Sequence, residues 1–132
     1  MTIRTASCSC GQLTLKCEGD PIRISMCHCF ACQQRTGSAF SIQARFDRSR
    51  VSSIEGRSTE FTRTGDEGTR LTFHFCPTCG STVYFEQDDA ANLIAVPVGA
   101  FADPSFPPPT VSVYESRRHP WTRMADLKVQ RR

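Results

Sequence analysis

The sequence predicts a mainly β fold, one domain of antiparallel sheets with little helix that spans residues 1–132 and is stapled by zinc. Three observations lead there. Apolar residues recur at every second position in run after run, only one short segment has helical character, and the eight cysteines fall mostly in close groups of the kind that hold metal.

Taken in order, "QLTLKCE" places Leu13, Leu15 and Cys17 on one face and Thr14, Lys16 and Glu18 on the other, the pattern of a half-buried strand. "FACQQRTG" allows a turn or two of helix, stopped by Gly37 in the usual C-terminal position. "AFSIQARF" alternates Phe40, Ile42, Ala44 and Phe46 against Ser41, Gln43 and Arg45, and "RLTFHF" does the same with Leu71, Phe73 and Phe75. "GDEG", Gly65 to Gly68, lies between two strand-like runs, so Phe61 to Phe75 reads as a hairpin. "TVYFE" is a short strand. "NLIAVPVGA" reads as a strand buried on both faces, with Pro97 pushing it toward a sheet edge or a bulge because proline has no N–H to give the ladder. "ADPSFPPPT" is a loop inside the domain, and "TVSVYES" is the last strand. There is no internal repeat and no composition shift that marks a boundary.

A chain of 132 residues can bury a real core, so its cysteines are not needed merely as cross-links. The N-terminus "MTIRTASCSCGQ" has no apolar signal-type stretch, and the longest apolar run, around "NLIAVPVGAF", is too short to span a bilayer. The expectation is a reducing cytoplasm and no membrane contact, where clustered cysteines serve as metal ligands or redox groups. The net charge of +3 draws on Arg117, Arg118, Arg123, Lys128, Arg131 and Arg132 late in the chain. That suits small anions and falls well short of a nucleic-acid-binding signature.

"FCPTCG", Cys76 to Gly80, is a zinc knuckle: two thiolates three residues apart chelate one ion, and the glycine lets the chain turn so that backbone N–H groups face the sulfurs. A structural zinc needs four ligands, and "CSCG", Cys8 to Gly11, is the natural partner because joining the two closes a long loop. Cys17 is in phase with Leu13 and Leu15, which favours a core residue over a ligand. The triplet in "CHCFACQQRTGSAF", Cys27, Cys29 and Cys32, is then left without an obvious fourth ligand.

Three protein ligands plus an exchangeable position distinguish catalytic from structural zinc. Three thiolates around a dication leave a net charge of about −1, which makes a poor generator of hydroxide but suits a soft incoming thiol. Such a thiol is held as its thiolate, ready to attack a carbonyl carbon, so the chemistry suggested is thiol addition to an aldehyde or the reverse carbon–sulfur cleavage. His28 lies between two ligands, a position that usually points away from the metal; the competing reading makes it a base.

The series "CSCG", "CHCFACQQRTGSAF", "FCPTCGS" and "VSVYESRRHPW" resembles the glutathione-dependent formaldehyde-activating enzyme family, which also includes the domain of centromere protein V. The resemblance implies a fold of β-sheets, a structural zinc on Cys8, Cys10, Cys76 and Cys79, and a second, catalytic zinc on Cys27, Cys29 and Cys32. It also implies condensation of formaldehyde with glutathione to S-hydroxymethylglutathione, a carbon–sulfur lyase activity.

Glutathione carries two carboxylates, and an arginine fork suits either. Arg35, three residues past the triplet, is the first candidate to bind them, followed by Arg117 and Arg118; Trp121 is a candidate wall of the pocket. Two other classes compete with the enzyme. A zinc-stapled binding module needs Cys17 or His28 to complete the triplet. A thiol-redox protein uses Cys29 and Cys32 as a C-x-x-C pair, although the strand–helix setting expected of that motif is missing.

Overall fold

The fold was obtained as a computed structural model that describes residues 1–124 and 129–132; Lys128 of the basic C-terminal stretch lies outside the described residues. Alternation produces the strands it predicts: β2 (Thr14–Glu18), β4 (Ser41–Asp47), β6 (Thr59–Thr64), β7 (Arg70–Phe75), β8 (Thr82–Gln87), β9 (Leu93–Pro97) and β10 (Val111–Val113). Four more complete the set among the described residues: β1 (Ile3–Ser7), β3 (Arg23–Cys27), β5 (Val51–Glu55) and β11 (Gln130–Arg131). The α-helix, α1 (Phe30–Thr36), starts on a cap in which the Cys32 N–H donates to the Cys29 sulfur and ends at Gly37, whose φ of 68° is the left-handed conformation glycine adopts without steric cost.

The strands form two sheets, β1-β2-β5 and β11-β10-β3-β4-β9-β8-β7-β6. Pairing is antiparallel except at one end of the large sheet, where β10 runs parallel to both β3 and β11. The proline loop before β10 supplies the long connection that a parallel strand needs. Pro97 corrects the edge-strand expectation. β9 is an interior strand between β4 and β8, and its proline is tolerated because it is the last residue of the strand.

One face of the large sheet packs on the small one. Leu13, Leu15 and Cys17 meet Ala44, Phe46, Val83, Ile94 and Val96 in the main core, all essentially without exposure. Burying each large apolar side chain is worth about 1.5–3 kcal/mol, so this seam is what joins the layers. The opposite face differs from expectation. Ser41, Gln43 and Arg45, placed by the alternation on a polar side of β4, are not solvated: Ser41 and Gln43 are buried and Arg45 is half-buried. Gln43 and Arg45, together with Arg23, Ser25 and Cys27 of β3, build the floor of a cleft. Among the described residues no helix is long and apolar enough to cross a membrane.

Candidate metal centres and active-site cleft

The cysteines separate into two groups as the spacing suggests. The ligand sulfurs of Cys8, Cys10, Cys76 and Cys79 all lie within 4.8 Å of one another, and so do those of Cys27, Cys29 and Cys32. Cys17 belongs to neither. It is fully buried in the main core, where burial pushes its thiol up to about 11.

The four-cysteine group joins the β1–β2 turn to the β7–β8 turn. The backbone N–H groups of Thr78 and Cys79 reach the Cys76 sulfur at 3.3 and 3.4 Å, and that of Leu13 reaches Cys8 at 3.3 Å. Gly80, at φ 80°, makes the knuckle turn possible. Gln12 adds a side-chain N–H to Cys76 at 3.0 Å. Burial opposes ionisation of Cys76, but these N–H donors outweigh it and hold the thiol down at about 7. The Ser81 hydroxyl and backbone amide hold Cys79 down at about 5. The same hydroxyl accepts from the Ser9 N–H at 3.2 Å, so Ser81 ties the two knuckles together. Four mutually facing sulfurs in a cage of N–H donors are a donor set that fits a closed tetrahedral zinc.

The triplet forms at the junction of β3 and α1. Cys27 ends the strand, Cys29 caps the helix and Cys32 lies one turn in, so strand end and first turn bring three sulfurs together, each 6–7% exposed. Thiols this close do not ionise independently. The neighbouring thiols of Cys27 and Cys32, the Cys32 N–H and the charge of Arg63 pull Cys29 far down, whereas hydrogen bonding to its neighbours and burial push Cys27 up. A dication would stabilise all three as thiolates.

The triplet opens onto a cleft of about 880 Å³. Arg35 projects into it with the guanidinium 5.0 Å from the Phe73 ring centre and 5.8 Å from that of Phe85. Arg63 stacks on Phe73 at 5.5 Å. The Nε and Nη2 of Arg35 are buried without a geometric hydrogen-bond acceptor, and the guanidinium lies against the thiols of Cys32 and Cys27, so its charge faces the triplet. Arg117 also lines the cleft but is paired with Asp66. Arg118 is not there: it turns to the other side of β10 and donates to the Thr122 carbonyl at 2.6 Å. Trp121 does not wall the cleft either; it is 72% exposed, with its ring tilted against that of His119.

His28 points away from the triplet, as a residue between two ligands usually does. Its Nε2 lies 3.0 Å from the Ser112 Oγ and 3.1 Å from Glu115, and burial lowers its pKa against the pull of Glu115. Among the described residues, then, neither Cys17 nor His28 supplies a fourth ligand to the triplet.

Residues that the sequence reading did not single out complete the cleft. Tyr114 packs against the three cysteines with φ 54°, a left-handed backbone that is strained for an aromatic residue. Burial raises the pKa of its phenol. Arg23, Arg45 and Arg63 project into the cleft from β3, β4 and β6.

Three comparisons bear on what this arrangement is. The solved crystal structure of a Rhodobacter sphaeroides protein superposes with a TM-score of 0.58 at 20% identity, covering 79% of this chain and 91% of that one, which is a likeness of fold. No curated protein matches the chain. The family profile described as "Glutathione-dependent formaldehyde-activating enzyme" matches residues 3–117, a span that includes both cysteine groups and the helix between them. The chain therefore belongs to the glutathione-dependent formaldehyde-activating enzyme family.

Proposed function

We propose that the chain is a zinc-dependent carbon–sulfur lyase-like enzyme that condenses a thiol with a small aldehyde at Cys27, Cys29 and Cys32, the pair being glutathione and formaldehyde. One observation carries this reading. The triplet offers three sulfurs, not four, at the floor of a cleft, while Cys17 and His28, the residues able to close it, are engaged elsewhere. Cys8, Cys10, Cys76 and Cys79 would hold the structural zinc.

Zinc at the triplet, when bound, supplies a thiol with a lowered pKa. In the reaction the thiol sulfur bonds to the carbonyl carbon, the C=O π pair moves to oxygen, and the proton lost from sulfur is made good on that oxygen. Tyr114, whose ring packs on the triplet and whose phenol is protonated at neutral pH, donates that proton. Arg35 and Arg63, held on the Phe73 ring, draw the anionic ligand toward the cysteines. A reducing compartment keeps such cysteines free to hold metal, which supports a cytoplasmic location.

Cobalt-substituted protein tests the reading. Glutathione shifts the absorption bands of the triplet site toward four-sulfur coordination, an analogue with a hydroxyl in place of the thiol does not, and Cys29→Ser abolishes the shift while the other metal remains. Arg35→Ala weakens the response to glutathione more than to a small uncharged thiol. If a filled triplet responds to no thiol, the site is closed and the chain is a zinc-stapled binding module.

A further inference from the structure

Strands β3 and β4 pair so that Arg23 faces Arg45, Ser25 faces Gln43 and Cys27 faces Ser41. Like charges directly opposite each other on adjacent strands are destabilising, by roughly 0.2–1 kcal/mol, yet here two arginines occupy one such pair in a half-buried row. Among the described residues no ion pair engages Arg23 or Arg45, and the Nε of Arg23 is buried without an acceptor. Burial and then the charge of Arg23 lower the pKa of Arg45, against the opposing pull of Cys27, Cys32 and Asp89. Arg45 is nonetheless fixed. Its Nε and Nη2 donate to the Gln87 Oε1 at 3.3 and 2.9 Å, and its Nη1 donates to the Ser25 Oγ at 2.8 Å.

That last bond sets a distance. Ser25 lies two residues before Cys27 on β3, so the Arg45 guanidinium reaches a point about 7 Å along the strand from the triplet. Gln43, the register partner of Ser25 and 4% exposed, presents at that level an Oε1 with no donor. By strand position the row reads, outward from the cysteines, as a sulfur site, an unmet acceptor and two cations that no ion pair engages. We infer that Arg23 and Arg45, with Gln43, form a carboxylate subsite that selects an extended, peptide-like thiol whose carboxylate is remote from its sulfur and whose amide N–H meets Gln43. A free cysteine, with sulfur and carboxyl carbon three bonds apart, does not span the row. Arg35 and Arg63, next to the triplet, are left for a second anionic group. The inference rests on the thiol-binding reading of the triplet proposed above.

The test is binding by calorimetry to zinc-loaded protein, with glutathione and its two monoamides, each lacking one carboxylate. One monoamide binds at least about tenfold more weakly than glutathione to wild-type protein, the cost of a lost charge-assisted fork. Arg45→Gln and Arg23→Gln each weaken glutathione by a similar factor and erase the difference between it and that monoamide. Arg23→Gln also raises the melting temperature of ligand-free protein, because it relieves the cross-strand repulsion, a combination that a merely structural arginine does not give. Equal binding of both monoamides and glutathione to wild type, or a monoamide penalty that persists in both variants, overturns the subsite. Turnover is read separately. If the carboxylate is recognised but no carbon–sulfur bond forms, the subsite stands and the lyase reading falls.

Discussion

The side-chain amide of Gln12 donates to the sulfur of Cys76 across 3.0 Å, although 64 residues separate them in the chain. The same amide group closes a two-way bond with the backbone of Arg57, donating to its carbonyl at 2.7 Å and accepting its N–H at 2.9 Å. Gln12 therefore fixes the turn after β5 to the four-cysteine centre. Partners of this kind typically set metal affinity within about tenfold to a hundredfold. Gln12→Ala should release the structural zinc to a competing chelator at a correspondingly lower chelator concentration. Gln12→Glu should do worse, since it brings a carboxylate against thiolates. An unchanged competition curve for both would show the amide to be incidental.

Much of the site was legible because its signal is local. Metal spacing in "CSCG" and "FCPTCG" and the glycine stop after α1 are read within a few residues, and so is the phase of Cys17 with Leu13 and Leu15. The cleft was not legible, for a physical reason. Alternation tells which residues share a face but not what covers that face, so it puts Gln43 and Arg45 on a polar side without showing that they line a cleft. Arg23 gave no signal because its significance lies in its register partner, and β3 and β4 meet only through tertiary pairing. Gln12 and Tyr114 were missed for the same reason: the one acts on a sulfur far along the chain, and the other owes its place to the parallel pairing of β10 with β3.

Cys17 separates the enzyme from the binding module. It is fully buried among Leu15, Phe46 and their neighbours, and its thiol is raised to about 11. Cys17→Val should leave zinc content unchanged, with a stability cost of about 1 kcal/mol set by packing. Loss of one zinc equivalent from well-folded mutant protein would make Cys17 a ligand and close the triplet.

Glu86 gives the fold a pH dependence away from the metals. Burial opposes its ionisation, but hydrogen bonds from Arg48 and from His74, the latter at 2.7 Å, outweigh it and hold the carboxyl below its usual range. A carboxyl depressed in the folded state adds stability that is fully present above its unfolded pKa, and this is lost as pH falls through the folded value. Glu86→Gln should thus lower the melting temperature at pH 7, by an amount corresponding to about 1 kcal/mol. The gap between mutant and wild type should shrink once the pH drops below the ordinary carboxylate range. A gap that is constant from pH 7 to pH 3 would mean that the charge of Glu86 does not matter.

The two metal centres should differ in what their loss does to the fold. The four-cysteine centre clips β1–β2 to β7–β8, and Cys10 and Cys76, whose sulfurs lie 3.7 Å apart, close a loop of 66 residues. A cross-link over a loop of that length is worth ~4 kcal/mol, or about 15 °C of melting temperature for a domain of this size. Cys8→Ser and Cys79→Ser should lose at least that much, along with one zinc. The triplet joins only the end of β3 to the first turn of α1, so it closes a loop of a few residues and its metal adds little to folding. Its zinc should leave first under a mild chelator with the melting curve nearly unmoved, and Cys32→Ser should behave the same way. Elemental analysis taken alongside thermal melts distinguishes the cases. A protein that never holds more than one zinc, and that keeps its fold when that zinc is removed, would sink the division into a closed structural centre and an open reactive one.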